Sequence, residues 1–172
     1  MVDTKKILRE MASKVIDKIV LNDWLFMLGT TSENFPQIFD LLQGKILDVG
    51  CGLGDLVRQL VEQGYDAHGI DRCYGEFAVK GIPDLWKYST VKHRLKESGD
   101  KPMPFPDNTF SIVTSCGIVD CGNPNYNEWV RVLQPSGVIY MLDLGIKDKF
   151  GVPERILRPI YKDDGILLVQ KV

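Results

Sequence analysis

Glycine at three alternate positions, directly after an apolar strand that carries one acid, is the feature of this 172-residue chain best suited to chemistry. Lys45-Ile46-Leu47-Asp48-Val49 reads as a buried strand, and Gly50, Gly52 and Gly54 form the turn that leaves it. Lacking a Cβ, such a turn reaches positive φ and lets a ligand lie against bare backbone at the carboxyl end of a strand. The ligand this edge predicts is a nucleotide-type cofactor. A dinucleotide fingerprint needs a further glycine three residues after its second, to seat a pyrophosphate at a helix N-terminus, and that position holds Asp55. A nicotinamide oxidoreductase is disfavoured for that reason, and the absence of a following Gly-Lys-Ser/Thr excludes a phosphate loop.

These residues need a sheet and helices to hold them. Leu56, Val57, Leu60 and Val61 repeat with helical period, Gly64 ends that helix, and Tyr65 to Asp71 follows as a second strand. A β-α-β succession argues for a parallel sheet with a right-handed crossover. Further on, Asp107-Asn108 makes a turn before a buried strand over Phe110 to Ser115. Tyr126 to Leu133 is a short helix, Gln134-Pro135-Ser136-Gly137 a turn, and Val138 to Leu142 another buried strand. The alternation indicates an α/β fold. Between Arg72 and Lys101 the pattern weakens: a helix is expected between Pro83 and Glu97, where Leu85, Trp86, Val91 and Leu95 roughly share a face, and no strong third strand stands out. Asp163-Asp164-Gly165 ahead of Ile166 to Val172 signals a closing hairpin, with a helix over Glu154 to Ile160 as the alternative. Upstream, Ile7, Met11, Val15 and Ile19 form the stripe of an amphipathic helix over residues 5–20, and a second helix runs from a Thr31-Ser32 cap through Ile38, Leu41 and Leu42 to Gly44.

A chain that is 44% hydrophobic and 26% charged can bury a core as one globular domain. Its net charge of −2 gives no global reason to bind nucleic acid. The run Trp24-Leu25-Phe26-Met27-Leu28 is far too short to cross a membrane, so no membrane association and a cytoplasmic location are expected. Four cysteines without a tight pair do not form a disulfide framework. All four, Cys51, Cys73, Cys116 and Cys121, fall at or just beyond strand carboxyl ends, which leaves a thiol or metalloid site as a minor reading; no metal site is expected, and His68 and His93 lack ligand spacing.

The spacing Asp48-x-Gly50-x-Gly52-x-Gly54 resembles motif I of the class I S-adenosylmethionine-dependent methyltransferases. Three further segments are similar to that family in order and separation: Gly69-Ile70-Asp71, then Met103-Pro104-Phe105-Pro106-Asp107 running into Phe110-Ser111-Ile112-Val113, then Glu128-Trp129-Val130-Arg131-Val132-Leu133-Gln134-Pro135-Ser136-Gly137. The resemblance covers residues 46–142 and implies a Rossmann-like doubly wound sheet of seven strands, mostly parallel, with one antiparallel strand near an edge. It implies one domain over 1–172, in which 1–44 form a helical cap or lid and 45–172 the cofactor-binding core. Two departures stand out: the stretch from Asp71 to Met103 lacks the family's regular helix and third strand, and Ser136 stands where glycine is common.

The implied cofactor is S-adenosylmethionine, with S-adenosylhomocysteine as product. Asp71 would accept from both ribose hydroxyls, since one carboxylate takes two donors. Backbone around Gly50, Cys51, Gly52 and Gly54 would meet the methionine part; Asp48 beneath it could favour the cationic sulfonium and ammonium, or merely organise the turn. Asp100 and Lys101 stand near the family's adenine contacts, or are plain loop. Ser115 and Cys116 leave the fourth strand where methyl and acceptor should meet. If the transfer uses a general base, Asp120 is the candidate by position, with Asn123 or Tyr126 orienting the acceptor; the competing reading has Asp120 and Asn123 shaping the turn and capping the helix before Tyr126. In-line methyl transfer can run on alignment alone. The acceptor is unidentified, with a small molecule slightly favoured, and the alternative function is a non-catalytic cofactor-binding or partner-stabilising protein on the same fold.

Overall fold

The computed structural model describes residues 41–71, 89–97, 102–116, 125–142, 155–163 and 166–172. The expected helix over 5–20, most of the second helix and the cap they would form lie outside these residues, as do 83–88 of the expected helix before Glu97.

Seven strands form one sheet in the order β3-β2-β1-β4-β5-β7-β6. They are β1 (Lys45–Val49), β2 (Asp66–Asp71), β3 (Leu95–Glu97), β4 (Phe110–Cys116), β5 (Leu133–Leu142), β6 (Leu157–Asp163) and β7 (Ile166–Lys171). The first five run parallel, while β7 pairs antiparallel with both β5 and β6. Helix α1 (Asp55–Glu62) links β1 to β2, and α2 (Tyr126–Val132) leads into β5.

From β1 the chain winds outward through β2 to β3, and from β4 it winds the other way to β5. Right-handed crossovers in opposite directions put their helices on opposite faces of the sheet. Leu56, Val57 and Leu60 of α1 accordingly pack on Ile46, Ala67, Ile112, Val138 and Tyr140. Trp129 and Val132 of α2 pack on Leu47, Val49, Ile70, Val113, Ile139 and Met141 across the other face. Strands covered on both sides are largely apolar, which is why Ile46-Leu47 of β1, Ile112-Val113 of β4 and Val138 to Met141 of β5 are all buried. The order reverses between β1 and β4, and ligands of such sheets bind outside the carboxyl ends of the strands at that switch point.

Several details differ from the sequence reading. A third strand exists: Leu95–Glu97 pairs parallel with Gly69–Asp71, preceded by a 3₁₀ turn over Lys92–Arg94 rather than a helix through Glu97. Three residues of which only Leu95 is buried leave no readable period. Strand β5 begins at Leu133, and the expected turn over Gln134–Gly137 is a bulge inside it: Leu133 pairs with Phe110 and Val138 with Ile112, so five residues of β5 span what two of β4 cover. Ser136 in that bulge has φ of 61°. The hairpin reading of the tail holds, since Asp163 pairs with Ile166 across residues 164–165, and the helical alternative over 154–160 gives way to β6 from Leu157 onward.

A guanidinium clamp organises the approach to β4. Arg131 Nη1 donates to Phe105 O and Asp107 Oδ1, each at 2.8 Å. Its Nη2 donates to Met103 O (3.0 Å) and Glu128 Oε2 (2.8 Å), and Nε to Glu128 Oε1 (2.9 Å), while Glu128 Oε2 also accepts the Met103 N–H (2.8 Å). All five guanidinium donors are thus spent on α2 and the loop ahead of β4. Lys171 Nζ closes the C-terminus of α2, donating to Val130 O (2.7 Å) and Leu133 O (2.6 Å).

Candidate cofactor site

The glycine turn sits at the switch point, and its conformation explains the residue type. Gly50, Gly52 and Gly54 have φ of 78°, 52° and 83°, all left-handed. Space adds a separate demand at Gly54, where a Cβ would come within 2.7 Å of Leu95 Cδ1. Among the described residues nothing lies within 4 Å of where a Cβ on Gly52 would stand, so the turn is most open there. Gly50 N–H and Cys51 N–H both donate to Ile70 O (2.8 and 3.2 Å), and Gly54 N–H donates to Cys51 O (2.8 Å). The turn is therefore fastened to the end of β2.

Asp71 completes that fastening. Its Oδ2 accepts the Gly52 N–H at 2.7 Å, so the strand-end carboxylate stands directly beside the most open part of the turn. Cys51 is buried, its Sγ lodged where Gly69 leaves room: a Cβ on Gly69 would lie 2.7 Å from that sulfur. Cys51 packs in the core beneath the turn.

Asp48 lies on the α1 face, 5% exposed. Burial and, second, the charge of Asp71 push its carboxyl up to about 7. A carboxylate so placed is primed to take a proton or a neighbouring cation. In register with it are Gly69 on β2 and Thr114 on β4. Ser115 pairs with Val49 and Met141 on the opposite face and is 2% exposed, with its hydroxyl unpartnered. Tyr126 opens α2 and directs its hydroxyl at Met141 Sδ, 3.7 Å away; burial raises its phenol above the usual range. Hydroxyls of β4 and α2 thus flank the carboxyl end of β5.

The structure brings together Asp48, Gly50, Cys51, Gly52, Gly54, Asp71 and Ser115 at one edge, with Cys116 closing β4 in the same place. Asp100, Lys101, Asp120 and Asn123 lie outside the described residues, as do Cys73 and Cys121. The cap of α2 is Asn125, whose Oδ1 accepts from Glu128 N at 3.4 Å, so the capping role weighed for Asp120 and Asn123 belongs to a residue the sequence reading passed over. The signal was present: Asn125 stands three residues before Glu128. Thr114, a threonine inside an apolar strand, carries no signal in the sequence; the structure places it buried and in register with Asp48. Among the described residues no group of three or more His, Cys, Asp and Glu is placed to hold a metal ion. His68 lies on β2 against Phe105 and Phe110, its Nε2 3.2 Å from Asp66 Oδ1, on the strand's body and not at its carboxyl end.

Comparison with known proteins agrees with this geometry. The family model of a methyltransferase domain matches residues 46–137. A sterol 24-C-methyltransferase of Gibberella zeae is 30% identical over 126 residues, covering 71% of this chain and 30% of that protein. One of Aspergillus fumigatus is 30% identical over 125 residues, covering 70% and 30%. The chain thus spans under a third of the length of the curated relatives it matches. An S-adenosylmethionine-dependent methyltransferase from Aquifex aeolicus shares the fold at a TM-score of 0.56 and 18% identity, over 81% of this chain and 89% of that one. Among the described residues no helix is long and apolar enough to cross a membrane. With the motif turn, the strand-end acid and the seven-stranded order all in place, the chain belongs to the methyltransferase domain family and has the class I S-adenosylmethionine-dependent methyltransferase fold.

Proposed function

We propose that the chain transfers a methyl group from S-adenosylmethionine to a small-molecule acceptor. The observation that carries this reading is the Gly52–Asp71 junction, where an open stretch of left-handed backbone is hydrogen-bonded to a strand-end carboxylate. The donor set suits the cofactor. Asp71 offers a carboxylate to a ribose diol, the turn from Gly50 to Gly54 offers backbone without side chains, and buried Asp48 offers negative charge to an ammonium or sulfonium. The unpartnered Ser115 hydroxyl at the end of β4 is a further polar group for the reacting end.

The bound cofactor supplies an electrophilic methyl on a cationic sulfur. The protein's part is to hold that end against the strands' carboxyl edge, exclude water and set the acceptor in line, which can supply much of the acceleration. Asp100 and Lys101 belong to the adenine side of this proposal, and Asp120 is its candidate base. A small-molecule acceptor is supported by the sterol 24-C-methyltransferases among the relatives.

The test is incubation of the protein with methyl-labelled S-adenosylmethionine and a panel of small acceptors, sterols included, with S-adenosylhomocysteine measured. Acceptor-dependent S-adenosylhomocysteine supports the proposal; binding without product across sterols, amines, thiols and phenols sustains the non-catalytic alternative. In an active protein, Asp120→Asn lowers turnover about 100-fold or more if Asp120 is the base, and little if alignment suffices.

A further inference from the structure

Asp48 and Thr114 stand side by side in register on β1 and β4, and Thr114 in turn pairs with Tyr140 on β5. The three side chains make a row on the α1 face and are 5%, 1% and 3% exposed. Neighbouring strands lie about 4.8 Å apart, so a hydroxyl and a carboxylate on in-register residues of one face are within a side-chain rotation of a hydrogen bond. The structure does not make that bond: Thr114 Oγ1 is buried with no partner among the described residues. A buried hydroxyl without a partner is a net cost to folding, and valine would fill the same volume without it. An unpartnered hydroxyl beside the crevice acid is available to a second state of the site.

We propose that Thr114 is a cofactor-positioning residue: its hydroxyl turns onto the Asp48 carboxylate, as donor, when that carboxylate faces a cationic ligand in the crevice. The inference rests on the crevice being the cofactor site. A neutral, buried carboxyl has little need of another donor. Once an ammonium or sulfonium draws it into the charged form, it must be stabilised from behind as well as from the ligand side. Among the described residues the other titratable groups around Asp48 are Asp71 at the end of β2, the Cys51 thiol in the turn and the Tyr140 phenol on β5, while α1 presents Leu56, Val57 and Leu60. The Cys51 thiol is turned to Gly52 O (3.9 Å), Tyr140 lies one strand further off on β5, and Thr114 is the hydroxyl in direct register with Asp48.

The experiment compares wild type with Thr114→Val and Thr114→Ser, measuring melting temperature without ligand and calorimetric affinity for S-adenosylmethionine. Thr114→Val should melt above wild type and bind about tenfold or more weakly, while Thr114→Ser binds within about twofold of wild type, since a hydrogen bond to a charged group is worth about 1.5–3 kcal/mol. Wild-type affinity in Thr114→Val overturns the proposal, as does equal loss in Val and Ser, which would make volume and not the hydroxyl the cause. A Thr114→Val protein that melts below wild type overturns it too, because the hydroxyl is then satisfied without ligand. Failure of wild type itself to bind S-adenosylmethionine overturns the reading of the crevice, and this inference with it.

Discussion

Replacing Asp71 by asparagine separates its two tasks. In the structure Oδ2 accepts the Gly52 N–H at 2.7 Å, so the side chain anchors the glycine turn as well as offering a carboxylate to the crevice. Asparagine keeps the shape and one acceptor for Gly52, and loses the charge and the second acceptor. A ribose diol then meets an NH₂ where it needs an oxygen. The loss is that of a hydrogen bond to a charged group, about 1.5–3 kcal/mol, or roughly 10- to 150-fold in affinity. Alanine also removes the Oδ2 acceptor of the Gly52 N–H, which adds about 1 kcal/mol and loosens the turn. Calorimetry with S-adenosylmethionine and S-adenosylhomocysteine should rank wild type above Asn above Ala, and thermal melting should place Asn near wild type and Ala below it. Because the Asp71 charge helps to raise the Asp48 carboxyl, Asp71→Asn should also shift the pH dependence of binding to lower pH. Wild-type affinity in a folded Asp71→Asn protein would refute the ribose role. Equal melting losses in Asn and Ala would refute the separate anchoring role.

Ser136 holds φ of 61° in the β5 bulge, so Ser136→Gly should gain about 0.5–1 kcal/mol in urea unfolding, the left-handed cost of about 1–2 less the entropy glycine adds to the unfolded chain; an unchanged midpoint would contradict it. Arg131→Lys keeps the charge but cannot reproduce five fixed donors, and should cost about 2–3 kcal/mol in the same assay. Arg131 holds the Glu128 carboxyl below its usual range, so this stabilisation is full above the ordinary carboxylate range and fades as pH falls through the folded value; the lysine variant should lose much of that acid-side slope. Asp48 behaves in the opposite sense. Its folded carboxyl stands at about 7 against about 3.9 unfolded, so the unfolded chain sheds the proton first and stability declines from about pH 4 to 7 before levelling. Asp48→Asn should therefore gain stability relative to wild type at pH 8 compared with pH 4, while binding S-adenosylmethionine more weakly.

The legibility of this fold in its sequence follows from what each segment buries. Strands β1, β4 and β5 are covered on both faces, so their apolar runs stand out, and the left-handed turn between β1 and α1 announces itself because glycine meets its φ values without strain. Strand β3 did not, because only Leu95 of its three residues faces the core and its pairing is dictated by β2. Ser136 marks a bulge that glycine would have signalled. At the site, Asp48 and Asp71 were legible as strand acids, but their coupling was not: that depends on β1 and β2 being neighbours, a tertiary fact. The Arg131 clamp was equally hidden, since two of its acceptors are backbone carbonyls that carry no residue identity.

The central claim, that the carboxyl edge at the β1–β4 switch point binds S-adenosylmethionine, is tested most directly by calorimetric titration of the unmodified protein with S-adenosylmethionine, S-adenosylhomocysteine and NAD under one set of conditions. Micromolar binding of the first two and little of the third is the predicted result, because the turn suits a pyrophosphate-free ligand. No binding of S-adenosylmethionine, or tighter binding of NAD, would contradict the account.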